Sequence, residues 1–301
     1  MTQPLATRRA ACAILAAAIG LTAASTRASS TSRGPLLWRA SNGNGTVYLF
    51  PFGEAKDGSW FTERVKTAFA ASSELWLEVG PPPPKDRVNA IEQELGHDLS
   101  RTFFDALTPP VRARALQYMD ELDISRESVQ NLRPWLAYYT FVKVFDHKYG
   151  HSEGMTQAAR PQWPPDRVLA EQALKDNKKF GFEQSMEEWL HTLAATSDAI
   201  QSQYLQWLFD YFEDEKKGLN RDATDWMHGH LTSRAIDRMR TELPDLYEIM
   251  DGRRNRWWAQ KVRELLSRGG TYFVAIGQDH FADSHGIPAQ LAELGVRLGT
   301  A

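Results

Sequence analysis

The chain has 301 residues, of which 42% are hydrophobic, and a formal net charge of −3. That length and composition suffice for one large core, or at most two domains. The mild acidity excludes the basic footprint that nucleic acid or an anionic membrane surface requires.

The N-terminus reads as an export signal. Arg8-Arg9 form a charged start, Ala10–Ala24 a short apolar run, and Thr26-Arg27-Ala28 a cleavage site. The run is short and alanine-rich for a membrane span. The reading is a signal peptide over 1–28, with an uncleaved anchor as the alternative, and a flexible lead over 29–35. Without the signal the balance is 32 basic to 38 acidic residues, a charge of −6. Export implies a periplasmic or secreted protein with no stable membrane span after cleavage. Cys12, the only cysteine, lies inside the signal, so the mature chain has no disulfide or thiolate chemistry.

Leu36–Ser41 and Thr46–Phe50 read as two strands joined at Asn42-Gly43-Asn44-Gly45, a hairpin signal. The second strand runs on into Pro51-Phe52-Gly53-Glu54. Phe61, Val65, Ala68 and Phe69 have helical spacing within 60–72. Glu74–Val79 reads as a strand in which Trp76 and Glu78 share one face. Gly80 and Pro81–Pro84 form a stiff connector. From Lys85 to about Arg268 the pattern is mostly helical. It includes an aromatic helix over Trp135–Phe145 after Pro134, a long amphipathic stretch over Trp189–Phe212, and a last long helix over Leu246–Leu266. Tyr272–Ile276 is apolar and β-branched or aromatic, and reads as a buried strand ending at Gly277, three residues before His280. Pro288–Leu294 reads as a helix and Val296–Leu298 as a last strand. The expected fold is α/β: a single domain with a small mixed sheet covered by a large, mostly helical middle section.

Three strand ends therefore deliver polar groups: Glu54, Glu78 and His280. Two carboxylates and an imidazole can hold a divalent metal, or can do acid–base chemistry without one. His147 and His151 have one-face spacing, but the helix is ending there. His228-Gly229-His230 reads as a solvated turn between helices. Nucleophile elbows, Gly-rich phosphate loops and His-Glu-x-x-His helices are missing from the sequence.

Taken in order, several segments resemble the TraB/GumN family, which includes the PrgY proteins and is related to the Tiki metalloproteases. They are Leu36-Leu37-Trp38-Arg39, Thr46–Phe50, Leu77-Glu78-Val79, Leu132–Leu136, Lys179–Glu183, Arg254-Asn255 with Trp258-Ala259, and Phe273–His280 with Gly286-Ile287-Pro288. The resemblance covers about 35–299. It implies a metal-dependent hydrolytic site built from two Gly-x-x-His motifs and a strand-end Glu, with peptidase activity in the Tiki relatives. Here Gly277 and His280 keep the second motif, and Glu78 matches the Glu. The first motif departs: Pro51 stands for its Gly and Glu54 for its His. A carboxylate there shifts the expected metal toward Mn, Mg or Ca and away from Zn. By the same resemblance Glu183, Arg254 and Asn255 line the cleft, and Arg254 offsets carboxylate charge or grips a substrate carboxylate.

Two expectations follow. One is an exported hydrolase in which Glu54, Glu78 and His280 act as catalytic residues and metal ligands on a peptide or small-molecule substrate. The other is a non-catalytic relative, with no metal, that binds a peptide or saccharide in the envelope.

Overall fold

The computed structural model describes residues 34–53, 55, 57–149, 165–217 and 222–301. Six strands form one mixed sheet in the order β4-β3-β5-β2-β1-β6. They are β1 (Trp38–Ser41), β2 (Gly45–Phe52), β3 (Glu74–Val79), β4 (Lys179–Gln184), β5 (Gly270–Gly277) and β6 (Leu298–Thr300). β4, β3, β5 and β2 run parallel to one another. β1 is antiparallel to both β2 and β6.

The expected hairpin is present. Its turn is closed by Asn42 Oδ1, which accepts the N–H groups of Asn44 and Gly45 at 3.1 Å each. Gly43, at φ 88°, supplies the left-handed residue that this turn needs. β5 is apolar throughout its middle because helices cover both its faces.

Fourteen α-helices appear among the described residues. In chain order they are α1 (Glu63–Ala70), α2 (Lys85–Leu95), α3 (Pro109–Leu122), α4 (Arg126–Val129), α5 (Pro134–Lys148), α6 (Pro165–Lys175), α7 (Met186–Ala195), α8 (Asp198–Lys216), α9 (Asp222–Met227), α10 (Arg234–Glu242), α11 (Pro244–Tyr247), α12 (Arg253–Arg268), α13 (Asp279–Ala282) and α14 (Ile287–Glu293). One sheet face packs Val47, Leu49, Val274 and Ile276 against Trp258, Val262 and Leu266 of α12 and Leu291 of α14. The other packs Phe50, Leu75, Phe273 and Ala275 against α1, α6 and Trp226 of α9. The remaining helices build two further apolar clusters of their own. The described residues fall within one compact unit, Ser32–Ala301. None of their helices is long and apolar enough to cross a membrane.

Four local expectations change. The long stretch over Trp189–Phe212 is two helices, α7 and α8. Ser197 breaks it by accepting the Ile200 N–H at the start of α8. Lys179–Gln184 is a strand inside the supposedly helical middle. Its Gly181 lies under the Trp76 ring, where an added Cβ would come within 2.3 Å of the indole. The last long helix is compound: α11, a π-turn over Glu248–Gly252, then α12. The last strand lies slightly later than expected, at Leu298–Thr300.

Candidate functional site

Because four strands are parallel, their C-terminal ends share one edge of the sheet, where α/β folds gather ligands. Register places Leu77 beside both Phe182 and Ala275, so Glu78 sits next to Glu183 on one side and near Gly277 on the other. Phe52 pairs with Gly277, and the Gln278 N–H donates to the Phe52 carbonyl at 2.8 Å. The ends of β2, β5, β3 and β4 thus form one continuous rim.

Glu78 is held from three sides. The Gly277 N–H donates to its Oε1. An added Cβ at Gly277 would lie 3.0 Å from that oxygen, so a glycine permits the approach. Arg254 Nη2 donates to Oε2 at 2.9 Å. His280 Nε2 faces the same Oε2 at 3.5 Å.

Arg254 and Asn255 come from the first turn of α12. The Arg254 Nε donates to both Glu183 oxygens at 2.8 and 3.0 Å, and its Nη2 adds a 2.9 Å bond to Glu183 Oε2. Its Nη1 donates to the Met250 carbonyl at 3.1 Å, and the guanidinium lies 5.6 Å from the Trp189 ring centre. Most of its donor capacity is therefore spent on protein acceptors, so Arg254 braces the two carboxylates rather than reaching into open space. Trp258 Nε1 also donates to Glu183 Oε2, at 2.9 Å.

His280 stands on α13, directly after β5, and is only 4% exposed. Its Nδ1 lies 2.8 Å from Asn255 Oδ1 and 3.4 Å from Asp251 Oδ1. An amide oxygen only accepts, so a proton on Nδ1 completes this contact, and Nε2 is the nitrogen turned toward Glu78.

The charges tune one another. Burial pushes the Glu78 carboxyl up. The His280 charge and contact, the Arg254 guanidinium and the Gly277 N–H outweigh it and hold the group well below the usual range. Burial pushes His280 down, but Glu78 and then Asp251 more than offset it, and the imidazole is raised. Asp251 is raised, chiefly by burial. Asp166, in the first turn of α6, is raised by burial and also by the Glu78 charge.

The structure therefore brings together Glu78, His280, Arg254, Asn255 and Glu183. Glu54 lies outside the described residues, as do the export signal and His151. Asp279, next to His280 in sequence, is exposed on α13. Asp251 has no counterpart among the sequence expectations, whereas Trp258 and Gly277, quoted there as family-like segments, each add an N–H donor. The one sequence signal for Asp251 is a four-residue spacing, Tyr247, Asp251, Asn255, which continues one helical face.

Among the described residues no group of three or more His, Cys, Asp or Glu is placed to hold a metal ion. The pair itself fits two ligand positions. One carboxylate oxygen and one imidazole nitrogen face each other, and the other ring nitrogen is engaged by an amide oxygen, the support that metal-bound histidines ordinarily have. Three carboxylates (Glu78, Glu183 and Asp251), when ionised, outnumber the single guanidinium. A proton on His280 or a cation reduces that surplus.

Neither a curated protein nor a solved structure matches the chain. The model of the TraB/PrgY/gumN family matches residues 36–299, nearly its whole length. The chain belongs to the TraB/PrgY/gumN family.

Proposed function

We propose that this member of the TraB/PrgY/gumN family is an exported hydrolase, acting in the periplasm or outside the cell on amide or ester bonds of a peptide-like substrate with a divalent cation. One observation carries the reading: Glu78 Oε2 and His280 Nε2 face each other at 3.5 Å while Asn255 occupies the ring's other nitrogen.

Glu78 and His280 would hold the cation, with water completing its shell. A divalent metal there supplies Lewis-acid polarisation of a carbonyl and a more acidic bound water. The chain's own residues do the rest. The Gly277 N–H and Arg254 fix the Glu78 carboxylate and keep it ionised, so it serves as a ligand and field source and is a poor proton acceptor. Asn255 holds the His280 ring with its lone pair outward. Glu183 and Trp258 hold Arg254 in turn. The Arg8-Arg9 start and the apolar run after it support export.

The mature protein should bind metal and cleave members of a peptide library with added Mn2+ or Zn2+, and His280→Ala should do neither. Absence of cleavage by the wild type across the library, with no metal above background, would overturn the reading.

A second reading has its own observation. Arg254 already sits 2.9 Å from the oxygen that His280 faces, so a guanidinium could occupy the place of the cation in a non-catalytic peptide or saccharide binder. Arg254→Met would then leave metal affinity at zero. Under the hydrolase reading the same change perturbs a measurable affinity.

A further inference from the structure

Behind His280 the structure carries polar groups that the reaction itself does not use. Tyr247, Asp251 and Asn255 occur at intervals of four residues across the π-turn and the start of α12, so they follow one face. Opposite them stand His280 and Asp283, three residues apart around α13. The two sides meet rung by rung, through hydrogen bonds and one charge contact. Asn255 and Asp251 meet His280 Nδ1, and the Tyr247 hydroxyl donates to Asp283 Oδ2. Arg240 closes the far end, with its Nε 3.4 Å from Asp283 Oδ1. Asp251 is 5% exposed and Asp283 4%. Buried carboxylates outside a reacting centre are costly and are retained only where they are held by partners.

A neutral imidazole has one proton and two places for it. The Glu78 carboxylate, 3.5 Å from Nε2, attracts that proton to Nε2 and would hide the lone pair needed to bind a cation. Asn255 opposes this with a neutral amide oxygen, a weaker acceptor than a carboxylate. Asp251, 3.4 Å from Nδ1 on the same side as Asn255, supplies the missing negative charge.

We infer that Asp251 is a positioning residue, which keeps the His280 proton on Nδ1 and so presents Nε2 to a divalent cation at Glu78. The inference rests on the hydrolase reading for the cation but not for the proton's place. The π-turn has a function in this account. It widens the helix by one residue per hydrogen-bonded turn and carries Asp251 one turn before Asn255, so both face the same ring nitrogen.

The test uses the mature protein labelled with 15N at histidine, as wild type, Asp251→Asn, and Arg256→Gln as a control that breaks an exposed pair on the same helix. At a pH where the ring is neutral, the His280 signals should report the Nδ1–H form in wild type and in the control. In Asp251→Asn the Nε2–H form should rise to a comparable share. Mn2+ alone should bind the variant about 10-fold more weakly than wild type, the lower end of effects from removing such support. A melting curve identifies any variant that has failed to fold. Should that happen, wild-type signals decide alone: a proton on Nε2 overturns the inference and one on Nδ1 supports it. Unchanged His280 signals and Mn2+ affinity in a folded Asp251→Asn would also overturn it. If wild type binds no Mn2+, the hydrolase reading falls, and the ring signals still decide the role of Asp251.

Discussion

At the residue scale, Arg254 is the member of the cluster whose removal should be felt most. Its guanidinium separates Glu78 from Glu183, and both carboxylates are largely buried with side-chain exposures of 19% and 10%. Arg254→Met leaves two neighbouring carboxylates without their shared cation. Breaking a buried pair from one side costs about 3–5 kcal/mol, and chemical denaturation should show a loss near the lower figure because both groups keep some water. The pH dependence of the metal-free protein follows from Glu78 and His280. The folded-state value of Glu78 lies below the ordinary 4.5, so its contribution is present above that pH and is lost as pH falls through the depressed value. The folded-state value of His280 lies above the ordinary 6.5, so its contribution is complete below 6.5 and is lost as pH rises through the raised value. The pair thus stabilises most between pH 4.5 and 6.5. Melting temperature should decline on both sides of that window. His280→Gln should flatten the alkaline side, and a decline that survives the substitution would place its origin elsewhere.

At the scale of elements, the site depends on two close approaches between strands. Gly181 lets the Trp76 ring lie across β4, and Gly277 lets Glu78 reach the backbone of β5. Gly181→Ala should cost about 1–3 kcal/mol, the range for overpacking, and should move Glu183 with its strand. A melting temperature equal to wild type would show that the Trp76 ring moves aside freely. Much of this layer was legible in the sequence. The hairpin was marked by Asn42-Gly43-Asn44-Gly45, and β5 by an unbroken apolar run. β4 was not, because Lys179, Gly181, Glu183 and Gln184 give it neither apolar density nor β-branched residues, and its fit to Trp76 exists only once β3 lies beside it. The split between α7 and α8 was hidden because apolar spacing carries on through Thr196-Ser197, while the cap that ends it is a single hydroxyl. Among site residues, Glu78 and His280 were readable as polar groups at strand ends. Asp251 was not, since a carboxylate in a helix reads as solvated until the packing of α13 buries it.

At the scale of the whole molecule, the two central residues are about two hundred positions apart and meet only because β3 and β5 are neighbours in the sheet. The unfolded chain therefore has no preformed pair, and a cation bound at Glu78 and His280 should stabilise the folded state alone. At a hundredfold excess over its dissociation constant it should add about 2.7 kcal/mol. Mn2+ should accordingly raise the melting temperature of wild type and leave that of His280→Ala where it was. An equal rise in both proteins would assign the binding to another place. The most direct test is a crystal grown with Mn2+ and recorded for anomalous scattering. A bound cation should give a peak within about 2.6 Å of both Glu78 Oε2 and His280 Nε2, the upper limit for such ligand bonds. Arg254 still bridging Glu78 and Glu183 with no peak beside His280, in a crystal that holds Mn2+ elsewhere, would contradict it.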